Sequence, residues 1–112
     1  MRSKAELSLL LDYYGGFLTE RRRELMRMSA DDDMSLSEIA EVAGVSRQSV
    51  RDAIAKGAEE LALCEQRLGL IQRDRALRGV ANGLAEAEQK ESASELRQRV
   101  IEARQAIEAL IK

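Results

Sequence analysis

The stretch from Ser35 to Arg51, reading Ser-Leu-Ser-Glu-Ile-Ala-Glu-Val-Ala-Gly-Val-Ser-Arg-Gln-Ser-Val-Arg, restricts the fold more than any other part of the chain. Ser35 and Glu38 stand at the S-x-x-E spacing, in which each side chain satisfies a backbone donor at the start of a helix. Leu36, Ile39, Ala40 and Ala43 then recur on one helical face. Gly44 follows, a residue able to take the left-handed conformation that ends a helix and turns the chain sharply. Val45 is placed to plug the corner, and Ser46 is a good N-cap for the next helix. Ala40 is small where two helices would cross closely, and Val50, six residues beyond the glycine, faces back toward Ile39. The spacing predicts two helices packed at a steep angle about a tight turn, the helix-turn-helix arrangement.

With Val50 and Ile54 directed to the core, the opposite face of the second helix presents Arg47, Gln48 and Arg51, with Ser46 at its N-terminus and Lys56 one turn beyond. These are the residue types that read DNA. Arginine bonds two acceptors on guanine, glutamine pairs with adenine, and a serine at a helix N-terminus binds phosphate. The same side chains also serve simply to solvate an exposed face, and residue type does not separate the two roles.

The flanking chain reads as helix throughout. Leu7, Leu10, Leu11 and Tyr14 form one stripe of a first helix ending near Gly15 and Gly16. Thr19 caps a second, with Leu25 and Met26 as core contacts and the run Arg21, Arg22, Arg23 either largely in water or in contact with phosphate. Asp31 to Asp33 interrupt the periodicity and predict a loop. After Ser46 nothing as far as Arg78 forbids helix, continuous over roughly 50 Å or else broken or bent along the way, since Gly57 and Gly69 each cost only about 1 kcal/mol. Ile54, Gly57, Leu61, Cys64, Leu68 and Ile71 would be its seam. Gly79, Asn82 and Gly83 form the best candidate hinge, which divides the chain into a helix-turn-helix domain at 1–78 and a C-terminal helical extension at 79–112. In that extension a second S-x-x-E, Ser92 to Glu95, starts or restarts a helix. Leu96, Val100, Ala103, Ile107 and Leu110 then make a narrow stripe suited to a helical hairpin or a homodimer.

Composition agrees with an all-α fold. The 112 residues contain no proline and only 3% aromatics, and Ala, Leu, Glu and Arg, which dominate, lose little side-chain freedom in a helix. The net charge is -2, with nine basic against twelve acidic residues up to Glu60 and nine against eight beyond it. Any nucleic-acid site must therefore be a local patch. There is no His and one Cys, Cys64, which leaves no nucleophile–base pair, no catalytic residue, no metal-ligand spacing and no cofactor motif. An enzyme is not expected. The single cysteine excludes an intrachain disulfide and suggests a cytoplasmic home. The apolar run Leu9 to Leu11, broken by Asp12, is too short for a signal sequence or a membrane span.

At these residues the chain resembles region four of bacterial primary sigma factors, and more fully the YlxM family of bacterial helix-turn-helix regulators. The resemblance rests on Leu11-Asp12-Tyr13-Tyr14, Phe17-Leu18-Thr19 leading into Arg22, Arg23 and Glu24, then Ser35-Leu36 with Glu38-Ile39-Ala40, and Val45-Ser46-Arg47-Gln48 with Val50 and Asp52. It continues weakly through Glu60-Leu61, Glu65 and Leu68, covering roughly residues 5–75. Ser49, Arg51 and Ala53 to Ala55 stand where bulkier or aromatic residues are expected in that family, and Val50-Arg51 is closer to the sigma-factor pattern. The resemblance implies an all-helical regulator with a link to the signal recognition particle pathway. Two partners follow as expectations: DNA held by Ser46, Arg47, Gln48, Arg51 and Lys56, or a protein component of the targeting particle bound by the helices after Glu60.

Overall fold

The computed structural model describes residues 2–90 and 92–111; Glu91, Lys112 and the first residue lie outside the described residues. Among the described residues the regular structure is helical, with no strand. The chain divides into two compact units after Gly69.

In the first unit, α1 spans Lys4–Tyr14, a 3-10 turn spans Gly15–Phe17, and α2, α3 and α4 span Glu20–Ala30, Leu36–Ala43 and Arg47–Leu68. Each helix starts where a hydroxyl can accept a free backbone N–H. Ser3 accepts from Glu6 at 3.1 Å, Thr19 from Arg22 at 3.2 Å, Ser35 from Glu38 at 3.1 Å and Ser46 from Ser49 at 3.0 Å. At α3 the reciprocal bond is also made, Ser35 N donating to Glu38 Oε1 at 3.0 Å, so the expected capping box is complete. Gly44 sits at φ 70°, ψ 34°, the left-handed region that favours glycine, and the backbone N–H groups of Gly44 and Val45 both donate to Ala40 O.

Leu25, Ile39, Ala40 and Val50 form the buried centre of the helix-turn-helix, with Met28, Met34, Leu36, Val45 and Ile54 packed around it. Ile39 and Val50 are both 0% exposed, as the Ala40–Gly44–Val50 spacing requires. α1 packs on α2 and α4 and buries Leu7, Leu10, Leu11 and Tyr14. Two polar ties brace α4 from this side: Tyr14 Oη donates to Glu65 Oε1 at 2.5 Å, and Arg22 Nη1 donates to Glu60 Oε1 at 2.5 Å. The aspartate loop is held to α1 by Ser8 Oγ donating to Asp31 Oδ1 at 2.6 Å and by a Lys4–Asp33 ion pair.

The second unit is a hairpin of α5 (Leu70–Lys90) and α6 (Ala93–Ile111). Ser92 N donates to Glu95 Oε2 at 3.1 Å, so the second S-x-x-E does start a helix.

The expectation of one helix from Arg47 to Arg78 with a hinge at Gly79, Asn82 and Gly83 is corrected. The break lies at Gly69, which caps α4 at φ 62°, ψ 28° with its N–H on Glu65 O at 2.8 Å. Gly79, Asn82 and Gly83 are interior to α5. A glycine without β-strand or turn neighbours costs a helix only about 1 kcal/mol, and the Ala- and Glu-rich residues around these two carry the helix across. The seam through Cys64 therefore stops at the end of α4: Leu68 is 54% exposed and Ile71 belongs to α5. The α6 stripe is only partly used. Leu96 and Ala103 are half-buried, Val100 is 59% exposed, and no described residue of α6 is buried. Between α5 and α6, Ala76, Gly79, Gly83, Ala103 and Ala106, together with Val80, Leu84, Arg99 and Glu102, line a groove of about 310 Å³. No helix among the described residues is long and apolar enough to cross a membrane.

Candidate nucleic-acid interface

The three-residue turn Gly44–Val45–Ser46 projects the start of α4 from the body of the first unit. At 3.6 residues per turn, successive side chains are about 100° apart. With Val50, Ile54 and Gly57 turned inward, Gln48, Asp52 and Ala55 point most directly outward, with Arg47 and Arg51 on one flank and Ser49 and Lys56 on the other. Ser46, Arg47, Gln48, Arg51 and Lys56, the residues singled out from sequence, are all exposed.

Their partners differ. Ser46 is committed to the cap, accepting from Ser49 N and donating to Ser49 Oγ at 2.9 Å. Arg47 Nη1 reaches Ser37 Oγ on α3 at 3.3 Å, which places the Arg47–Arg51 flank on the side of the α3 N-terminus. Gln48 Nε2 donates to Asp52 Oδ1 at 2.9 Å, so the outward stripe ends in a carboxylate and the amide orientation is set within the helix. Arg51 and Lys56 make no side-chain bond or ion pair among the described residues, and Lys56 lies on the opposite flank from Arg51 rather than beside it.

Two features were not read from the sequence. The Gln48–Asp52 bond was signalled by its i, i+4 spacing. Arg21 had no such signal: its Nη2 crosses 22 residues of sequence to donate to Ala43 O at 3.3 Å, at the end of α3 beside the turn. Its neighbours in the arginine run are occupied elsewhere, Arg22 with Glu60 and Arg23 against Gly15. Beside Arg21 a groove of about 190 Å³ opens between α2 and the start of α4, lined by Thr19, Arg22, Leu25, Val45, Ser49 and Ala53 as well.

Two acidic groups lie at and just before the start of α3. Glu38 is held below its ordinary carboxylate value first by the backbone N–H of Ser35 and then by the Ser35 side chain. Asp33 is lowered by its hydrogen bond from Lys4 and by that ammonium's charge. Both stay ionised at neutral pH and limit attraction of a polyanion to the immediate surroundings of α4.

Comparison with known proteins agrees with this geometry. The chain is 38% identical over 96 residues to a UPF0122 protein of Clostridium botulinum, spanning 85% of this chain and 88% of that one. It is 45% identical over 71 residues to one of Symbiobacterium thermophilum (63% and 66%), and 44% identical over 77 residues to one of Acetivibrio thermocellus (64% and 66%). All three are bacterial. The family described as "Putative helix-turn-helix protein, YlxM / p13 like" matches residues 1–102, so the shared part reaches past residues 5–75 through α5 and into α6. On this match, and on the capped turn that joins α3 to α4, the chain belongs to the UPF0122 family of helix-turn-helix proteins, YlxM / p13 like.

Proposed function

We propose that this chain is a cytoplasmic DNA-binding regulatory protein whose α4 enters the major groove in the manner of sigma region four. The observation that carries the reading is the exposure of Gln48 on the side of α4 away from Val50, with Arg47 and Arg51 exposed on the flank beside it, directly after the Gly44 turn. A helix about 10–12 Å across with its side chains fits a major groove about 12 Å wide. Arg47 and Arg51 supply bidentate donors for guanine, and Gln48, oriented by Asp52, offers its amide to adenine. Lys56 contacts the backbone, while Ser46, its hydroxyl engaged with Ser49, holds the start of α4 in place. Because the chain carries a net charge of -2, affinity rests on few phosphate contacts and on base reading rather than on a general positive field. Arg51→Ala is expected to cost about 1–3 kcal/mol of specific binding and to relax sequence preference. Gel-shift measurements on genomic fragments test this: equal shifts by the wild type and by the Arg47→Ala, Arg51→Ala double variant would refute it.

A second reading is favoured by α6, which buries no described residue and leaves Val100, Ile107, Leu110 and Ile111 exposed. Under it the tail helices join a second copy as a homodimer, or dock on a component of the signal recognition particle, with the helix-turn-helix as scaffold. Co-purification with the targeting GTPase, lost when Val100 and Ile107 become glutamate, supports the adaptor. Co-purification unchanged by those substitutions and by removal of α6 argues against it.

A further inference from the structure

We propose that the groove between α2 and the start of α4 is a phosphodiester-binding subsite in which Arg21 clamps the DNA backbone on the α2 side of the reading helix. The inference rests on the DNA-binding reading above and adds the contact that orients α4 in the groove.

A helix lying in a major groove has a phosphate strand along each flank, and phosphate contacts on both sides fix its register. The helix-turn-helix motif itself supplies arginines on one flank only, Arg47 and Arg51 toward the start of α3. The other flank holds Ser49, Lys56 and the groove. Arg21 is brought to its edge from α2 by the bond from Nη2 to Ala43 O. That bond uses one of the five guanidinium N–H groups, and the others have no partner among the described residues. One N–H suffices to satisfy the carbonyl at the end of α3, so capping does not account for the rest of the group.

The remaining polar lining consists of donors. Thr19 Oγ1 already accepts from Arg22 N, and Ser49 Oγ already accepts from Ser46 Oγ, which leaves each hydroxyl its own proton to give. No carboxylate is among the lining residues, and the nearest arginine, Arg22, is neutralised by Glu60 outside the groove. A recess of about 190 Å³ offering a guanidinium edge and two hydroxyl protons, with no competing acceptor side chain, is matched to a phosphate oxygen pair.

The test is the salt dependence of binding to a fluorescently labelled random-sequence DNA duplex, measured by anisotropy for the full chain, for Arg21→Gln and for Arg21→Lys. Each phosphate contact contributes a slope of about 0.9 in log K against log salt, so between about 50 and about 200 mM salt the wild type should lose roughly 3.5-fold more affinity than Arg21→Gln. Arg21→Lys should keep the wild-type slope. Arg21→Gln should weaken preferred and random duplexes by the same factor, leaving the specificity ratio unchanged, unlike Arg51→Ala. If Arg21→Gln and Arg21→Lys both retain helicity and the wild-type slope, Arg21 only caps α3 and the inference fails, while a loss of binding in the Arg47→Ala, Arg51→Ala variant still upholds the groove-reading role. If the wild type binds no duplex, the DNA-binding reading itself falls and takes this subsite with it.

Discussion

Gly57 sits where α4 crosses α2, and its replacement by alanine is expected to destabilise the helix-turn-helix unit. Two effects oppose each other. Alanine in a helix interior is favoured over glycine by about 0.8–1.0 kcal/mol. Against that, a Cβ at position 57 would stand 2.2 Å from Met26 Sδ and 3.3 Å from both Met26 Cε and Arg22 Cδ. The sulfur is not the free end of its side chain, Met26 is only 1% exposed, and Arg22 is anchored to Glu60, so the neighbours have little room to give. Overpacking of a closed core costs about 1–3 kcal/mol, which outweighs the propensity gain and leaves a net loss of about 1 kcal/mol. For a unit of this size that is a fall in Tm of roughly 4–8 °C, followed by circular dichroism. Two controls fix the interpretation. Gly79→Ala, at a helical site with nothing within 4 Å of the added carbon, should stabilise α5 by up to about 1 kcal/mol. In a Met26→Ala background, where the closest obstruction is gone and only Arg22 Cδ at 3.3 Å remains, the cost of Gly57→Ala should shrink well below its wild-type value. If Gly57→Ala alone raises Tm as Gly79→Ala does, α4 does not approach α2 as closely as the structure has it.

Other outcomes follow from the turn, the cap and the tail. Gly44→Ala meets no atom within 4 Å but must hold φ 70°, a strain of about 1–2 kcal/mol; chemical denaturation should register it, and Gly44→Asn should lose less. The depressed pKa of Glu38 means that the folded state binds its proton less readily than the unfolded chain. Its contribution is complete above the ordinary value of 4.5 and fades as pH falls below it, and the Lys4-paired Asp33 follows the same sign below 3.8. A Tm–pH profile should thus drop on the acid side, and Glu38→Gln should flatten that drop; an unchanged profile would remove the capping box as its source. Val100→Glu with Ile107→Glu should leave the melting of the first unit unaltered while abolishing any concentration-dependent association in sedimentation, since both side chains are exposed on α6.

Much of the site was legible because it is built from contacts local in sequence. The S-x-x-E box, the glycine at Gly44 and the cap at Ser46 each act within four residues, and the backbone groups they satisfy are the same in any context. The spacing Ala40, Gly44, Val50 then allows only one way to close the corner, and it leaves Arg47, Gln48 and Arg51 outside. Helix ends with a weaker local signature were less legible. Gly69 and Gly79 look alike as residues, and only the φ of 62° at Gly69 marks it as the one that stops a helix.

The sequence by itself determined the all-helical class, the starts of the capped helices and the turn that presents α4, because short-range hydrogen bonds and side-chain periodicity decide those. Only the tertiary structure decided that Arg21, 22 residues upstream, reaches the end of α3, and that α6 leaves its apolar stripe largely uncovered. The reason is range. A guanidinium or a methyl group finds its neighbour through the packing of whole helices, and that packing depends on the summed shape of many side chains, which no single spacing encodes.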